Sequence, residues 1–391
     1  MKYFKEINRL RGIACIMVFF VHLAWLRPIP YLQYITPEWL FKGQGAVSIF
    51  FTISGFLVTY ALRPVLSAAD ESCDHFVDRL FFAKTWLKAF WIRRIYRLLP
   101  VVAVMLSMLF VFYSCIAPEH LYSVVRVLID TCFCINNIMC ATYQEQEIIF
   151  FDGVSPLWTL SVEGLFYLLY PILMLWCKGY HMRVNVTLAI GLVNTFVIRP
   201  AIGIYTSYNL FDYYNYFHGL DSLMYGAFFA FTYERYKTGI SHKWMSLWLT
   251  MASWIYMALV KRHYPIPLHS VAVSHFVGVG CAVLLVLWAV TNSSVLNFKY
   301  LRSILEFIGK RSYTYYIMHF PVWSIWQKIS SECLPVDELG HYETHVVTCV
   351  LYFVIFILFC EIVYRFIEMR FYEKGRDLSS KILAENRKND D

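Results

Sequence analysis

An all-α polytopic membrane protein with about ten transmembrane helices is the fold class this sequence predicts, and three observations carry it. Of 391 residues, 59% are hydrophobic, 19% are aromatic and only 16% are charged, a balance too apolar for a water-soluble chain. Stretches long enough to cross a hydrocarbon core lie at about 7 to 26, 45 to 63, 98 to 117, 155 to 176, 184 to 203, 217 to 233, 244 to 260, 269 to 290, 308 to 327 and 345 to 365. Most of the 34 Lys and Arg residues fall on every second connection, which by the positive-inside rule sets both termini in the cytoplasm. Topology thus accounts for the net charge of +7, and the expected partner is the lipid bilayer of the cytoplasmic (inner) membrane, with no nucleic acid.

Basic residues precede the first stretch as they precede a signal peptide. Arg11 and His22 within it, the lack of a small-residue cleavage site and the spans behind it make it a retained anchor. Midway along the second stretch runs Phe50-Phe51-Thr52-Ile53-Ser54-Gly55-Phe56, where Ser54 and Gly55 permit close helix approach, as ordinary membrane packing also does. The next connection is the richest in cations, and its second half, Phe76 to Leu99, reads as an amphipathic helix along the inner surface. Beyond the third stretch, segment 118 to 154 has its own apolar run, Leu121 to Met139, interrupted by Arg126 and Asp130, and reads as re-entrant or interfacial. Cys132, Cys134 and Cys140 there are compatible with a disulfide that spacing alone does not define. Without internal repeats or low-complexity linkers, residues 1 to 370 read as one membrane domain and residues 371 to 391 as a charged cytoplasmic tail with little packed structure.

Five clusters of chemically capable residues lie in or beside these spans. The first is Arg9, Arg11 and His22. Eleven residues at about 100° each are three turns plus roughly 20°, so Arg11 and His22 share one stripe about 16 Å apart along the axis. A long anionic donor gripped at Arg11 reaches His22 with its other end; the plainer readings are a snorkelling arginine and a satisfied core histidine. The second is the stretch around Ser54. The third, Arg93-Arg94-Ile95-Tyr96-Arg97-Leu98-Leu99-Pro100, reads either as topology-setting charge or as a phosphate clamp, since arginine offers phosphate oxygens a planar fork of donors. The fourth, Pro156-Leu157-Trp158-Thr159-Leu160-Ser161-Val162-Glu163, sets Glu163 roughly 12 Å into the membrane, where a carboxylate needs a cationic partner or a proton. The fifth, Ser312-Tyr313-Thr314-Tyr315-Tyr316-Ile317-Met318-His319-Phe320-Pro321, supplies a second imidazole.

In this order the clusters resemble those of the acyltransferase-3 family, integral membrane enzymes that move acyl groups, usually acetyl, onto sugars. The resemblance covers residues 7 to 370. Arg11-Gly12 followed by His22, Gly45 through Phe56, the basic run ending at Pro100, Trp158 with Ser161, Glu163, Phe166, Tyr167 and Pro171, and the block from Phe307 to Pro321 are its matching motifs. Two departures stand out. Many relatives have Arg-x-Asp where this chain has Gly219-Leu220-Asp221, and a closing Glu-Arg-Pro is here Glu368-Met369-Arg370.

The resemblance implies an acyl-coenzyme A donor, usually acetyl-coenzyme A, in the cytoplasm and a glycan or glycolipid hydroxyl as acceptor. In that scheme Arg93, Arg94 and Arg97 hold the nucleotide phosphates and Arg11 steers the pantetheine arm. His22 is the general base, Glu163 orients or charge-balances it, His319 is the second candidate base or acceptor-positioning residue, and Ser54 donates to the oxyanion. A transient acyl-histidine is the alternative to direct transfer. Too few residues follow the tenth stretch for an appended hydrolase-like domain, so transfer is expected to be completed by the membrane domain or by separate envelope-assembly proteins.

No Gly-x-Ser-x-Gly elbow, Walker loop or His-Glu-x-x-His helix is present, and no metal is expected; His341 and His345 have ligand spacing but no third partner. The rival reading is a proton-coupled transporter of a small organic anion, since buried His, Glu and Arg also make proton relays. Neither repeat symmetry nor paired broken helices support it. A pure flippase or assembly scaffold is a third reading, and one that survives loss of His22.

Overall fold

The computed structural model describes residues 4–25, 43–116, 118, 121–136, 153–205, 217–236, 268–291, 299–333 and 341–390. All regular elements among them are helical: α1 (Lys5–Trp25), α2 (Gly43–Ser72), α3 (Phe76–Ile116), α4 (Leu121–Cys132), α5 (Leu157–Trp176), α6 (Tyr180–Val193), α7 (Arg199–Tyr205), α8 (Leu220–Tyr236), α9 (Leu268–Thr291), α10 (Lys299–Cys333), α11 (His341–Val363) and α12 (Met369–Asp390). Wider π-helical turns, Asn194–Ile198 and Tyr364–Glu368, join α6 to α7 and α11 to α12 without a break. Each stretch expected to span falls on a helix, except 244 to 260, which lies outside the described residues. Among the described residues five helical runs are long and apolar enough to cross a membrane: Gly45–Ser72, Phe76–Ile116, Leu157–Trp176, Tyr180–Ile202 and Val347–Glu385.

Two expectations change. The surface helix and third span form one helix of 41 residues, because Pro100 is accommodated inside α3. At 1.5 Å per residue it measures about 62 Å, twice the hydrocarbon thickness, so its charged half runs outside the lipid. The chain beyond Glu368 is also packed rather than loose. Gly375 of α12 faces the Tyr96 side chain so closely that a Cβ would lie 2.5 Å from it, and Ser379 is fully buried. Segment 118 to 154 contributes the twelve-residue α4, too short to span. Cys132 is a free thiol, and Cys140 lies outside the described residues, as do the side chains of His341 and His345.

The chain divides into two compact units, Met1–Ala61 with Tyr180–Ser312, and Leu62–Gly179 with Tyr313–Asp391. In the first, α2 and α8 meet backbone to backbone. A Cβ on Gly55 would stand 2.0 Å from the Leu223 carbonyl oxygen, and one on Gly226 would stand 2.2 Å from that of Thr52. This is the close approach the sequence signalled at Gly55. An aromatic cluster of Phe4, Phe56, Tyr60 and Tyr233, with ring centroids 5.4 to 6.3 Å apart, closes one end. Arg9 is neutralised inside this unit by Glu6 and by Glu306, whose Oε1 it meets through Nε at 2.9 Å.

In the second unit α12 runs antiparallel to α3, since Tyr372 lies over Arg97 while Gly375 reaches back to Tyr96 and the Ile92 carbonyl. The turn before α6 is tied down by charge. Asp70 faces Arg79 at 3.5 Å and accepts the Gly179 amide at 3.0 Å, and Lys178 donates to Asp74 at 2.5 Å.

Candidate active site

Three of the five clusters converge in the second unit. Along α3, Arg93 and Arg97 lie one turn apart on one face with Arg94 beside them, and no carboxylate among the described residues is within ion-pair distance of any of the three. Arg94 instead spreads over the rings of Phe90 at 5.3 Å and Tyr167 at 4.6 Å, and Arg97 lies over Tyr372 at 5.9 Å. Stacking of this kind holds a guanidinium by its face and leaves its edge donors for an anion.

Tyr167 links this cationic turn to the fourth cluster. Its hydroxyl donates to Glu163 Oε2 at 3.1 Å, one turn earlier on α5, and its carbonyl accepts from Trp91 Nε1 at 3.0 Å. The fifth cluster adds Tyr313, whose hydroxyl donates to the Leu98 carbonyl at 2.7 Å. A carbonyl oxygen has two lone pairs, so Leu98 can accept the phenol beside a helical donor. Glu368, Glu163, Arg97 and Tyr167 all act electrostatically on the Tyr313 phenol. Thr314 Oγ1 donates to the buried Glu368 at 2.5 Å. Two carboxylates, three guanidiniums and two phenols therefore share one polar seam inside an apolar unit.

His319 lies further along α10 and is buried. Its Nδ1 is 2.6 Å from the Tyr316 carbonyl, and its own carbonyl accepts from Tyr352 at 3.0 Å. A carbonyl can only accept, so Nδ1 carries the proton and Nε2 is the basic nitrogen, the tautomer a general base requires. Arg11, His22 and Ser54 belong to the first unit, whereas Glu163, His319, Arg93, Arg94 and Arg97 belong to the second. Arg11 is half-buried on α1, and the His22 side chain lies outside the described residues.

A further polar cluster, in the first unit, was not anticipated in full. The fully buried Asp221 accepts from Thr195 Oγ1 at 3.2 Å and from the Ser222 amide at 2.8 Å, and Arg199 Nη1 is 3.8 Å away. Arg199 Nη2 also meets His218 Nδ1 at 3.2 Å, and Thr195 meets the Tyr225 hydroxyl at 3.0 Å. The π-helical turn rotates Asn194 and Thr195 inward, where both are buried. Gly219 explains the departure from Arg-x-Asp. Its φ of +95° suits glycine, and the Phe51 ring lies 2.1 Å from where a Cβ would be. Arginine cannot occupy that position, and the guanidinium for Asp221 comes from another helix. The available signal was Arg199 itself, an ionised residue inside an apolar stretch.

The profile of the acyltransferase family, described as an acyltransferase domain, matches residues 4–365. The chain belongs to this family. It is 25% identical over 400 residues to the peptidoglycan O-acetyltransferase OatA of Listeria monocytogenes, covering 96% of the chain and 56% of that relative. It is 25% identical over 389 residues to the O-acetyltransferase OatA of Staphylococcus aureus strain NCTC 8325, covering 96% of the chain and 58% of the relative. The chain thus spans under two thirds of the length of these relatives. No solved structure matches it.

Proposed function

We propose that this chain is a multi-pass O-acetyltransferase of the cytoplasmic membrane, taking the acyl group of acetyl-coenzyme A from the cytoplasm to a hydroxyl of a cell-envelope glycan or lipid-linked sugar. Ten spans with both termini cytoplasmic are the topology this reading uses. The observation that carries it is the turn of Arg93, Arg94 and Arg97, cationic and without a carboxylate partner among the described residues, beside the half-buried Glu163 and the buried Glu368 of the seam. Family membership and the names of the relatives support the reaction type and the glycan class.

In this reading the three arginines grip the diphosphate and the ribose phosphate of the donor. Arg11 guides the pantetheine arm, and His22 takes the acceptor hydroxyl's proton as its oxygen attacks the thioester carbon. The new carbon–oxygen bond forms, the carbon–sulfur bond breaks, and the proton passes to the departing thiolate. Glu163 balances the imidazolium, Ser54 donates to the oxyanion, and His319, with Nε2 basic, positions the acceptor or serves as a second base.

Steady-state kinetics on purified protein in lipid nanodiscs test this. Neutralising Arg93, Arg94 and Arg97 together to Gln should raise the KM for acetyl-coenzyme A more than about tenfold and leave that for the acceptor unchanged, because each charge-assisted bond is worth about 1.5–3 kcal/mol. Unaltered donor affinity in a correctly inserted triple variant rejects the phosphate clamp. His22→Ala should abolish transfer while donor binding persists; full activity assigns the base elsewhere.

A further inference from the structure

A groove of about 940 Å³ opens along the second unit, starting at Leu99 and Phe371 beside the polar seam. One wall is a stripe of α3 from Leu99 through Ser107 to Val111, and the other is Phe359, Ile367 and Phe371. Every lining residue but Ser107 is apolar, and Leu99, Val111 and Phe371 stay exposed at its mouth. From Leu99 to Val111 the helix rises twelve times, about 18 Å, close to the roughly 15 Å of hydrocarbon in one leaflet. Small residues make the trough. Ala103 and Ser107 sit one turn apart, where the larger Leu99 and Val111 bound them.

The charge at one end of this groove is what selects an occupant. Arg370 and Lys374 lie on the same helical stripe as Ile367 and Phe371, at i+3 and i+7 from Ile367, and both are exposed. Neighbouring cations are matched, Arg365 with Glu361 at 2.5 Å and Arg376 with Asp377 at 3.3 Å. Arg370 and Lys374 have no carboxylate partner among the described residues, and Arg370 rests on the Phe366 ring at 5.4 Å. We propose that this groove is a binding site for one anionic phospholipid, whose acyl chain lies between α3 and the Phe359–Phe371 wall and whose phosphate is held by Arg370 and Lys374.

Length, polarity and charge agree on that ligand. The trough accepts an aliphatic chain one leaflet long, and burying each methylene against protein instead of mobile lipid gains packing contacts. A phosphate at the cationic end gains charge-assisted hydrogen bonds that a zwitterionic headgroup offsets with its own ammonium. Neither cation belongs to the turn assigned to the acyl donor, although Tyr372 between them lies over Arg97, so lipid retention is measured apart from donor binding.

The test is lipid retention, measured without acyl donor. Wild-type protein is equilibrated in nanodiscs holding equal phosphatidylglycerol and phosphatidylcholine of identical chains, extracted into mild detergent and weighed by native mass spectrometry. One retained phosphatidylglycerol per chain is expected, in at least about tenfold preference over phosphatidylcholine, as two charge-assisted contacts imply. Arg370→Glu with Lys374→Glu should abolish that preference, and Ser107→Trp should reduce retention of both lipids by filling the trough. Arg365→Glu with Arg376→Glu changes the charge equally and should retain lipid as wild type does. Equal retention of the two lipids by wild type, or unchanged phosphatidylglycerol retention after charge reversal at Arg370 and Lys374, overturns the proposal. If charge reversal prevents folding, the wild-type preference alone decides.

Discussion

The hydroxyl of Tyr167 donates to Glu163 at 3.1 Å while its ring carries the guanidinium of Arg94 at 4.6 Å. One side chain thereby couples the carboxylate of α5 to the cationic turn of α3, and its two contacts are separable by substitution. Tyr167→Phe keeps the ring and removes the hydrogen bond, so turnover should fall about tenfold with donor KM little changed. Tyr167→Leu also removes the cation–π contact, worth about 0.5–2 kcal/mol, and should raise donor KM. If Phe and Leu behave alike in steady-state assays, the ring does not hold Arg94 for the donor.

Thr314 and Glu368 form the second buried contact of the seam, at 2.5 Å. Thr314→Val preserves shape and leaves a buried carboxylate oxygen without that donor, so it should cost about 1–3 kcal/mol and lower the thermal unfolding midpoint in detergent. Glu368→Gln removes the charge and should be milder. An unshifted midpoint in Thr314→Val shows that Glu368 is satisfied without the hydroxyl.

Asp221 and Arg199 should be strongly non-additive. Removing either partner alone, as Arg199→Met or Asp221→Leu, leaves a buried charge and should destabilise the membrane-inserted protein by about 3–5 kcal/mol. The double variant removes both charges and should recover much of that loss. Additive losses in thermal unfolding would mean that the two side chains act through other partners.

Acid sensitivity is predicted at the turn before α6. The hydrogen bond and charge of Lys178 hold the exposed Asp74 carboxyl below its ordinary value. A carboxyl whose folded value is depressed contributes stability that is present above its unfolded value and lost as pH falls through the folded one. Lys178→Gln should therefore remove a small increment of stability at neutral pH, small because the pair is exposed, and converge with wild type as Asp74 is protonated below about pH 4, so that its profile falls less on the acid side. Thermal midpoints across pH 3 to 7 that superimpose on wild type reject a role for this pair.

Helices were legible because apolar runs and their flanking cations are local properties of the chain. Gly55 announced a close crossing, and α2 makes it against α8. The basic run and Glu163 were visible as charges where lipid tolerates few, and the family motifs set them in order. What joins them was not visible. Tyr167 looked like one of many aromatic residues, Tyr313 like part of a histidine block and Glu368 like a departure from a terminal motif, because their roles depend on helices distant in sequence. Arg199 and His218 were missed for the same reason, compounded by the π-helical turn, which shifts the facing of Asn194 and Thr195 by one residue relative to a regular 3.6-residue period. The packed α12 was hidden by its polarity, since Gly375 and Ser379 make contact through small size rather than hydrophobicity.

The crossing of α2 and α8 also has a genetic consequence. Every missense change in the codon of Gly55 or Gly226 installs at least a methyl group within 2.2 Å of a main-chain oxygen on the opposite helix, so no substitution there is conservative. A saturation library selected for function should return these two positions as blank columns, while the larger aromatic neighbours Phe56 and Tyr60 still admit other rings. Alanine, the usual probe of a side chain's worth, is at those two codons a test of whether two backbones can be forced apart.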